Sequence, residues 1–360
     1  MKKERKKVLA LALSMLLLSN AGSLAAMNTA EADPGPVGTH LPEAAAGAAG
    51  FRLPANPTDN ILIDGTLTKL DNGHLRLTSK EDNAPYQEIE LIMADNTAIF
   101  DGTSGQPLAI EDLKDGEKLY AYISAPSDRD LPPQVTAQVV LGRLAEDKDL
   151  PGYFEVRSTI ANEAEAVRLV TDKDMVLRIE DRYMPEAFKT VSASAPEKVS
   201  ADQLVPGTRV LAWYSAVSLS MPAQTSPSRI IALPYDYNGY VELTPEGSLY
   251  VNGNSLILDN KTAVHQNEQG FTMLPLRKVY EALGYTVTWD SASSSIILWY
   301  DDAREFGFLF DLSHAGKMAE LGGTIANSAT DIQVIEGVTF VSIDDLARLS
   351  NVMFARGNQV

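Results

Sequence analysis

The sequence predicts a multidomain, mainly β protein in which two related small β domains precede an α+β domain. Three observations lead to this prediction. The chain repeats itself at a constant offset of 91 residues, which aligns residues 113–124 with residues 204–215. Apolar and polar residues alternate over short stretches in both copies, as they do in strands with one buried face. After residue 239, extended stretches flank a segment with helical spacing.

The beginning of the chain predicts export. A basic run is followed by an apolar stretch at residues 8–18 and then by small residues, which is the order of a secretory signal peptide. The apolar stretch has 11 residues, whereas a membrane-spanning helix needs roughly 20. We therefore interpret residues 1–32 as a signal peptide, with small-x-small cleavage sites after Ala25 and after Ala32. Residues 33–58, rich in Ala, Gly and Pro, predict a flexible linker.

Composition restricts the possible partners. The chain has 30 basic and 48 acidic residues, a formal net charge of −18, and no cysteine. Such acidity opposes binding to nucleic acid and to anionic lipid. Without cysteine, disulfides and thiolate metal sites are excluded. We expect a secreted or envelope-associated protein with no nucleic-acid partner and no transmembrane segment after signal cleavage.

The repeat defines two β domains, at residues 59–147 and 148–238. In the first copy, strand-like alternation on both sides of an Asp-Asn-Gly turn at residues 71–73 predicts a hairpin. Residues 110–116, and their counterparts 199–207, read as a short helical turn that a glycine ends. Five or six short strands and one helical turn in about 90 residues predict a small barrel or sandwich, with an OB-like barrel as the specific hypothesis.

The last domain, residues 239–360, combines strands with a helix. Two strand-like stretches surround an Asn252-Gly253 turn. Pro275 precedes a helix that Gly284 ends, and the helix is indicated by apolar residues at helical spacing: Leu276, Val279, Tyr280 and Leu283. Two further strands then predict a hairpin at residues 285–300.

The run from Met273 to Asp290 resembles the signature of the copper amine oxidase N-terminal-like (stalk) domain family. The similarity extends over residues 239–356, about a third of the chain. The resemblance implies a non-catalytic extracellular module, and we assign structural roles to the motif residues, including Arg277, for which a ligand contact is the alternative. These residues are Asn252, Gly253, Pro275, Leu276, Arg277, Leu283, Gly284, Trp289 and Asp290. A weaker second half aligns at an offset of 67 residues, with Ser342 and Asp344 in place of the Pro and Arg.

Metal sites are not predicted. Copper needs converging imidazoles, and the four histidines are scattered at positions 40, 74, 265 and 314. The resemblance does not extend to the oxidase's quinone-forming tyrosine, because no Asn-Tyr-Asp or Asn-Tyr-Glu run exists. Calcium is an alternative at residues 128–130, 172–174 and 236–239, although turn chemistry explains these polar clusters more simply.

Enzymatic function is not expected. The sequence lacks the Gly-x-Ser-x-Gly, HExxH, P-loop and GxGxxG motifs. The numerous carboxylates keep a hydrolytic pair as an alternative. Two aromatic groups could stack on sugar rings, Tyr235 with Tyr237 and Tyr240, and Trp289 with Trp299 and Tyr300. For Trp289 and Trp299 we expect packing against the sheet instead.

Together these observations predict an exported, non-catalytic binding or scaffolding protein of the cell envelope or extracellular space. Its partner would be cell-wall glycan or another exported protein. The alternatives are an extracellular hydrolase or hydrolase accessory that uses carboxylates in an interdomain cleft, and a calcium-stabilised adhesin.

Overall fold

A computed structural model describes residues 60–126, 131–162, 165–180, 184–189, 195–299, 307–311, 317–320, 325–327 and 332–356. The predicted signal peptide and linker lie outside these residues. All described residues belong to one compact unit, Ala49–Val360. They form 27 strands and two short α-helices, which confirms the prediction of a mainly β protein. No helix among the described residues is both long enough and apolar enough to cross a membrane.

The first β region is a closed, barrel-like sheet. Its strands are β1 (Ile61–Lys69), β2 (Leu75–Thr78), β3 (Glu88–Ile92), β4 (Ala98–Asp101), β5 (Lys118–Ile123) and β6 (Gln134–Gly142). They pair in the order β3-β2-β1-β5-β6-β4, and a parallel pairing of β3 with β6 closes five of them into a ring. Alternating inward side chains such as Leu67, Leu77 and Leu119 fill the interior. Closure removes most free strand edges.

The second β region has eight strands. They are β7 (Gly152–Asn162), β8 (Glu165–Thr171), β9 (Met175–Ile179), β10 (Glu186–Ala187), β11 (Glu197–Lys198), β12 (Arg209–Trp213), β13 (Ala223–Thr225) and β14 (Arg229–Ala232). They pair in the order β11-β10-β14-β12-β7-β8-β9-β13. Only residues 226–228 separate β13 from β14, so this sheet also curves back on itself around an apolar core.

The two β regions share a pattern of pairing. The antiparallel pairs β1–β2, β1–β5 and β5–β6 correspond to β7–β8, β7–β12 and β12–β14. The parallel pairs β3–β6 and β4–β6 correspond to β9–β13 and β10–β14. A single 3-10 turn precedes β5 at Ile110–Asp112, and another precedes β12 at Ala201–Gln203, 91 residues later.

A separate apolar cluster joins the two β regions. The rings of Phe100 and Phe188 lie 5.5 Å apart, and those of Tyr122 and Tyr153 lie 5.2 Å apart. These side chains are buried together with Leu141, Leu211, Ile231 and Leu233. The outer faces of the two sheets therefore form a shared core, which resists relative motion.

The C-terminal region contains three sheets and both helices. The first sheet has β15 (Tyr240–Leu243), β16 (Leu249–Val251), β17 (Asn254–Leu256) and the last strand among the described residues, β27 (Met353–Arg356). The second has β18 (His265–Gln266), β19 (Thr272–Pro275), β25 (Gln333–Ile335) and β26 (Val338–Ser342). The third has β20 (Thr286–Asp290), β21 (Ser295–Trp299), β22 (Gly307–Asp311), β23 (Lys317–Glu320) and β24 (Ile325–Asn327). The sequence predicted a two-stranded hairpin here, whereas β22 to β24 extend it to five strands.

The helices occupy equivalent places in the two halves of this region. Helix α1 (Leu276–Ala282) lies between β19 and β20, and α2 (Ile343–Ser350) lies between β26 and β27. Strands β19 and β26 pair antiparallel, with Leu274 opposite Val341, which follows it by 67 residues. The helices and sheets bury one core that includes Tyr280, Leu346 and Phe354.

Candidate functional site

The Asn252-Gly253 motif forms a tight hairpin turn. Both residues have positive φ, 50° and 78°, which two-residue hairpins between twisted strands require. The Asn252 side-chain oxygen accepts a hydrogen bond from the Tyr240 backbone N–H at 2.9 Å, and the Asn252 N–H donates to the Tyr240 carbonyl at 2.9 Å. These contacts fasten the turn to the neighbouring strand.

Pro275, Leu276 and Arg277 connect β19 to α1. Pro275 precedes the helix with φ −68°, and Leu276 is fully buried. The Arg277 guanidinium donates to the Glu281 carboxylate at 3.1 Å and to the Val287 carbonyl at 2.8 Å. Its partners thus lie on the same helix and on β20, so this arginine holds α1 against the adjacent sheet.

Helix α1 ends in a Schellman motif. Leu283 is the C-cap and Gly284 follows it with φ +93°. The Gly284 N–H donates to the Glu281 carbonyl at 3.0 Å, and the Tyr285 N–H donates to the Tyr280 carbonyl at 2.9 Å. The Tyr280 and Tyr285 rings meet edge to face at 5.2 Å, which is the apolar contact expected of this motif.

Trp289 and Asp290 end strand β20. The Asp290 carboxylate accepts hydrogen bonds from the Ala292 N–H and the Ser293 hydroxyl, and the latter bond holds its pKa below the usual value. Trp299 donates to the Thr288 hydroxyl at 3.1 Å, whereas Trp289 remains 51% exposed. Trp289, for which we expect packing against the sheet, lies near the end of β20 and leaves about half of its surface exposed.

Buried ionisable groups concentrate at the junction between the second β region and the C-terminal region. On β7, Phe154 and Val156 point into the core, so Glu155 and Arg157 occupy the outer face. Glu155 is nevertheless only 2% exposed. Its carboxylate lies 3.2 Å from the Arg157 guanidinium and accepts a 2.8 Å hydrogen bond from the Tyr237 hydroxyl. We call Glu155, Arg157 and Tyr237 the junction cluster.

Further contacts lock the same junction from the C-terminal side. The Asn238 side chain donates to the Ser350 carbonyl at 2.8 Å, and the Asn351 side chain donates to the Asp236 carbonyl at 2.6 Å. The Arg157 guanidinium also contacts the Met353 sulfur at 3.6 Å. The connection between the two regions is therefore a hydrogen-bonded segment with fixed partners on both sides.

The electrostatics of the junction cluster follow from burial. Burial raises the pKa of Glu155, while the charge of Arg157 and the hydrogen bond from Tyr237 oppose this shift. Burial likewise raises the pKa of Asp172, whose carboxylate accepts a hydrogen bond from the Glu155 N–H at 2.9 Å. Two carboxyl groups with raised pKa values invite a catalytic interpretation. With 2% exposure, however, Glu155 cannot reach a substrate.

One cavity of about 310 Å³ lies in the second β region. Its lining includes Ile179, Met184, Lys198 and an ion pair between Arg229 and Glu186 at 2.5 Å. The Arg229 guanidinium also lies over the Trp213 ring. The lining contains one carboxylate, that of Glu186, which pairs with Arg229, so this cavity does not present a carboxylate pair for hydrolysis.

These contacts and the fold can be compared with known proteins. Residues 250–356 match the family model of the copper amine oxidase N-terminal domain. This match confirms the resemblance predicted for the C-terminal third of the chain. It concerns the N-terminal domain of the oxidase and not the catalytic domain. No curated protein and no solved structure matched the chain.

The two histidines among the described residues lie in different regions, each beside its own partners. His265 contacts Gln333 at 3.1 Å and the Phe340 ring at 4.6 Å, and His74, in the first β region, lies 3.9 Å from Glu90. His40, His314, Tyr300 and residues 128–130 lie outside the described residues. Among those that the structure describes, no group of three or more His, Cys, Asp or Glu side chains could hold a metal ion.

Sequence reasoning missed the junction cluster. The alternating pattern of β7 assigns Glu155 and Arg157 to a solvated face, as it does for most charged strand residues. Only the three-dimensional arrangement shows that another region covers that face. The acidic clusters at 172–174 and 236–239, considered for calcium, contribute Asp172 and Asp236, and Asp236 pairs with Arg209 at 3.4 Å.

Proposed function

We propose that the protein is an exported, non-catalytic binding or scaffolding protein of the cell envelope, built as a rigid array. The array comprises two copies of an OB-like barrel, residues 59–147 and 148–238, and a stalk-like domain, residues 239–360. The corresponding strand pairings of the two β regions and the 91-residue spacing of their 3-10 turns support the duplication. The ring of five strands in the first region supports the barrel assignment.

The observation that carries this proposal is that both connections between domains are packed. Phe100 and Phe188 belong to a shared apolar core between the two β regions. The junction cluster places Glu155, 2% exposed, between the second β region and the C-terminal region. Interfaces of this kind suppress the relative domain motion that exposed linkers allow. A rigid array suits a protein that holds binding surfaces at fixed spacing.

The half-exposed Trp289 supports glycan as the partner. An exposed indole offers a flat apolar face on which a sugar ring can stack. The charge of −18 makes an uncharged or sparsely charged polymer a better partner than a nucleic acid. The described residues offer no observation that favours the hydrolase or the calcium-stabilised adhesin over this function.

The test is co-sedimentation of the mature protein with purified cell-wall glycan, with the release of soluble sugar measured in parallel. We expect retention without release, and weaker retention for Trp289→Ala. The matched control is Leu219→Ala, which removes a fully exposed apolar side chain from the second β region. Sugar release would favour the hydrolase, and absence of retention would refute the wall-glycan partner.

A further inference from the structure

Two arginines lie directly opposite each other on the second β region. Arg168 of β8 and Arg178 of β9 are register partners in an antiparallel pair. Leu169 and Leu177, the neighbours of Arg168 and Arg178 along the two strands, are buried in the core. Strand alternation therefore places both guanidinium groups on the outer face. Like charges directly opposite each other on one face destabilise a sheet.

Neither arginine has an ion-pair partner among the residues that the structure describes. Glu180, the residue that follows β9, makes a contact of its own. Arg168 is half-buried and Arg178 is exposed. Within the described residues, the sheet thus carries two opposed positive charges without an ion pair, on a protein whose net charge is −18.

The strand pair β2–β3 of the first β region, in contrast, places an arginine opposite a carboxylate. There, Arg76 of β2 lies opposite Glu90 of β3, and the two side chains form an ion pair at 2.7 Å. Glu88 adds a second carboxylate at 3.2 Å. The register partner of Arg76 is thus a carboxylate, whereas the register partner of Arg168 is a second arginine. An external anion would supply the missing negative charge.

We propose that Arg168 and Arg178 form a binding site for one oxyanion group, a carboxylate or a phosphate, on an extracellular ligand. Opposed residues in an antiparallel pair have Cα atoms about 4.5 to 5.5 Å apart, so both guanidinium groups can reach the same group. Their planar donors match carboxylate and phosphate oxygens in bidentate geometry. The site deepens the proposed function, on which it rests, by naming an acidic group on the glycan as what the second β region recognises.

The test uses small anions, so that its result does not depend on retention by wall glycan. Inorganic phosphate and glucuronate are titrated into the mature protein by calorimetry, with sodium chloride at matched ionic strength as the reference. Binding of phosphate alone identifies a phosphate source, binding of glucuronate alone a carboxylate source, and binding of both supports the shared chemistry. Binding of neither anion would overturn the proposal.

The decisive variant is Arg178→Glu, which reproduces in the second region the Arg–Glu pairing of the first. We expect anion affinity to fall at least about tenfold, while the melting temperature stays the same or rises because an ion pair replaces a repulsion. Lys114→Glu is the matched control: it changes the net charge equally at an exposed position of the first region, and anion affinity should persist. If Arg178→Glu fails to fold, Arg178→Gln replaces it. Unchanged affinity in the folded variant would refute the site.

Discussion

The junction cluster yields a quantitative prediction for Tyr237→Phe. The change removes one hydroxyl and keeps the ring, which packs against Gly207 and lies 6.0 Å from the Tyr235 ring. That hydroxyl donates a 2.8 Å hydrogen bond to the carboxylate of Glu155, a residue that is only 2% exposed. Hydrogen bonds to charged groups stabilise by about 1.5 to 3 kcal/mol. We expect the free energy of unfolding to fall by that amount near neutral pH.

The sign of the pH dependence makes the prediction more stringent. The Tyr237 hydroxyl lowers the pKa of Glu155 against the larger effect of burial, so its removal raises that pKa further. The folded variant then holds the Glu155 proton to higher pH than the parent. The loss in free energy of unfolding, variant against parent, is therefore largest at pH values at which Glu155 is ionised in the parent. This loss becomes smaller as the pH falls through the raised pKa of Glu155.

Urea denaturation at about pH 5 and about pH 8 measures both effects. Tyr214→Phe is the matched control, since the Tyr214 ring packs against Phe154 at 6.2 Å but its hydroxyl has no hydrogen-bond partner among the described residues. A deficit below about 0.5 kcal/mol, or one of equal size at both pH values, would refute the view that this hydrogen bond locks the junction.

Three further substitutions test other contacts, each measured by urea denaturation. Gly284→Ala places a Cβ at φ +93°, which should cost about 1 kcal/mol; an unchanged midpoint would contradict the left-handed helix end. Phe100→Ala leaves a cavity in the shared core beside Phe188, whose ring lies 5.5 Å away. The free energy of unfolding should fall by about 3 to 5 kcal/mol. A fall below about 1 kcal/mol would mean that the two β regions are not packed together. Ser342→Ala removes the hydroxyl that accepts a hydrogen bond from the Asp345 N–H at 3.1 Å at the start of α2. The free energy of unfolding should fall by about 1 kcal/mol, whereas Ser342→Asp should keep the cap and most of the stability.

The two junctions of the proposed array differ in character. Between the β regions, aromatic and aliphatic side chains exclude water, so the contact is tight but carries little charge. At the junction cluster, a buried carboxylate needs both Arg157 and Tyr237 to offset its lost hydration. A substitution at the first junction should therefore lower the free energy of unfolding by a similar amount at any pH. A substitution at the junction cluster should lower it by an amount that depends on the ionisation of Glu155.

Local sequence determined the elements whose geometry depends on near neighbours. The Asn252-Gly253 turn and the Gly284 helix end were predictable because positive φ angles favour these residue types wherever the chain folds. The mainly β character followed from alternation, which reflects one buried and one exposed strand face. The motif around Pro275 and Arg277 was likewise sufficient to predict the family match of the C-terminal third.

Tertiary structure alone decided what lies on the outer face of each strand. Alternation separates inward from outward residues, but it does not indicate whether an outward face meets water or another domain. Glu155 and Arg168 both read as solvated strand residues, yet the first is buried at a junction, and the second faces Arg178 without a carboxylate partner among the described residues. The physical reason is that burial of an outer face depends on contacts between residues far apart in the chain, and no local pattern encodes these.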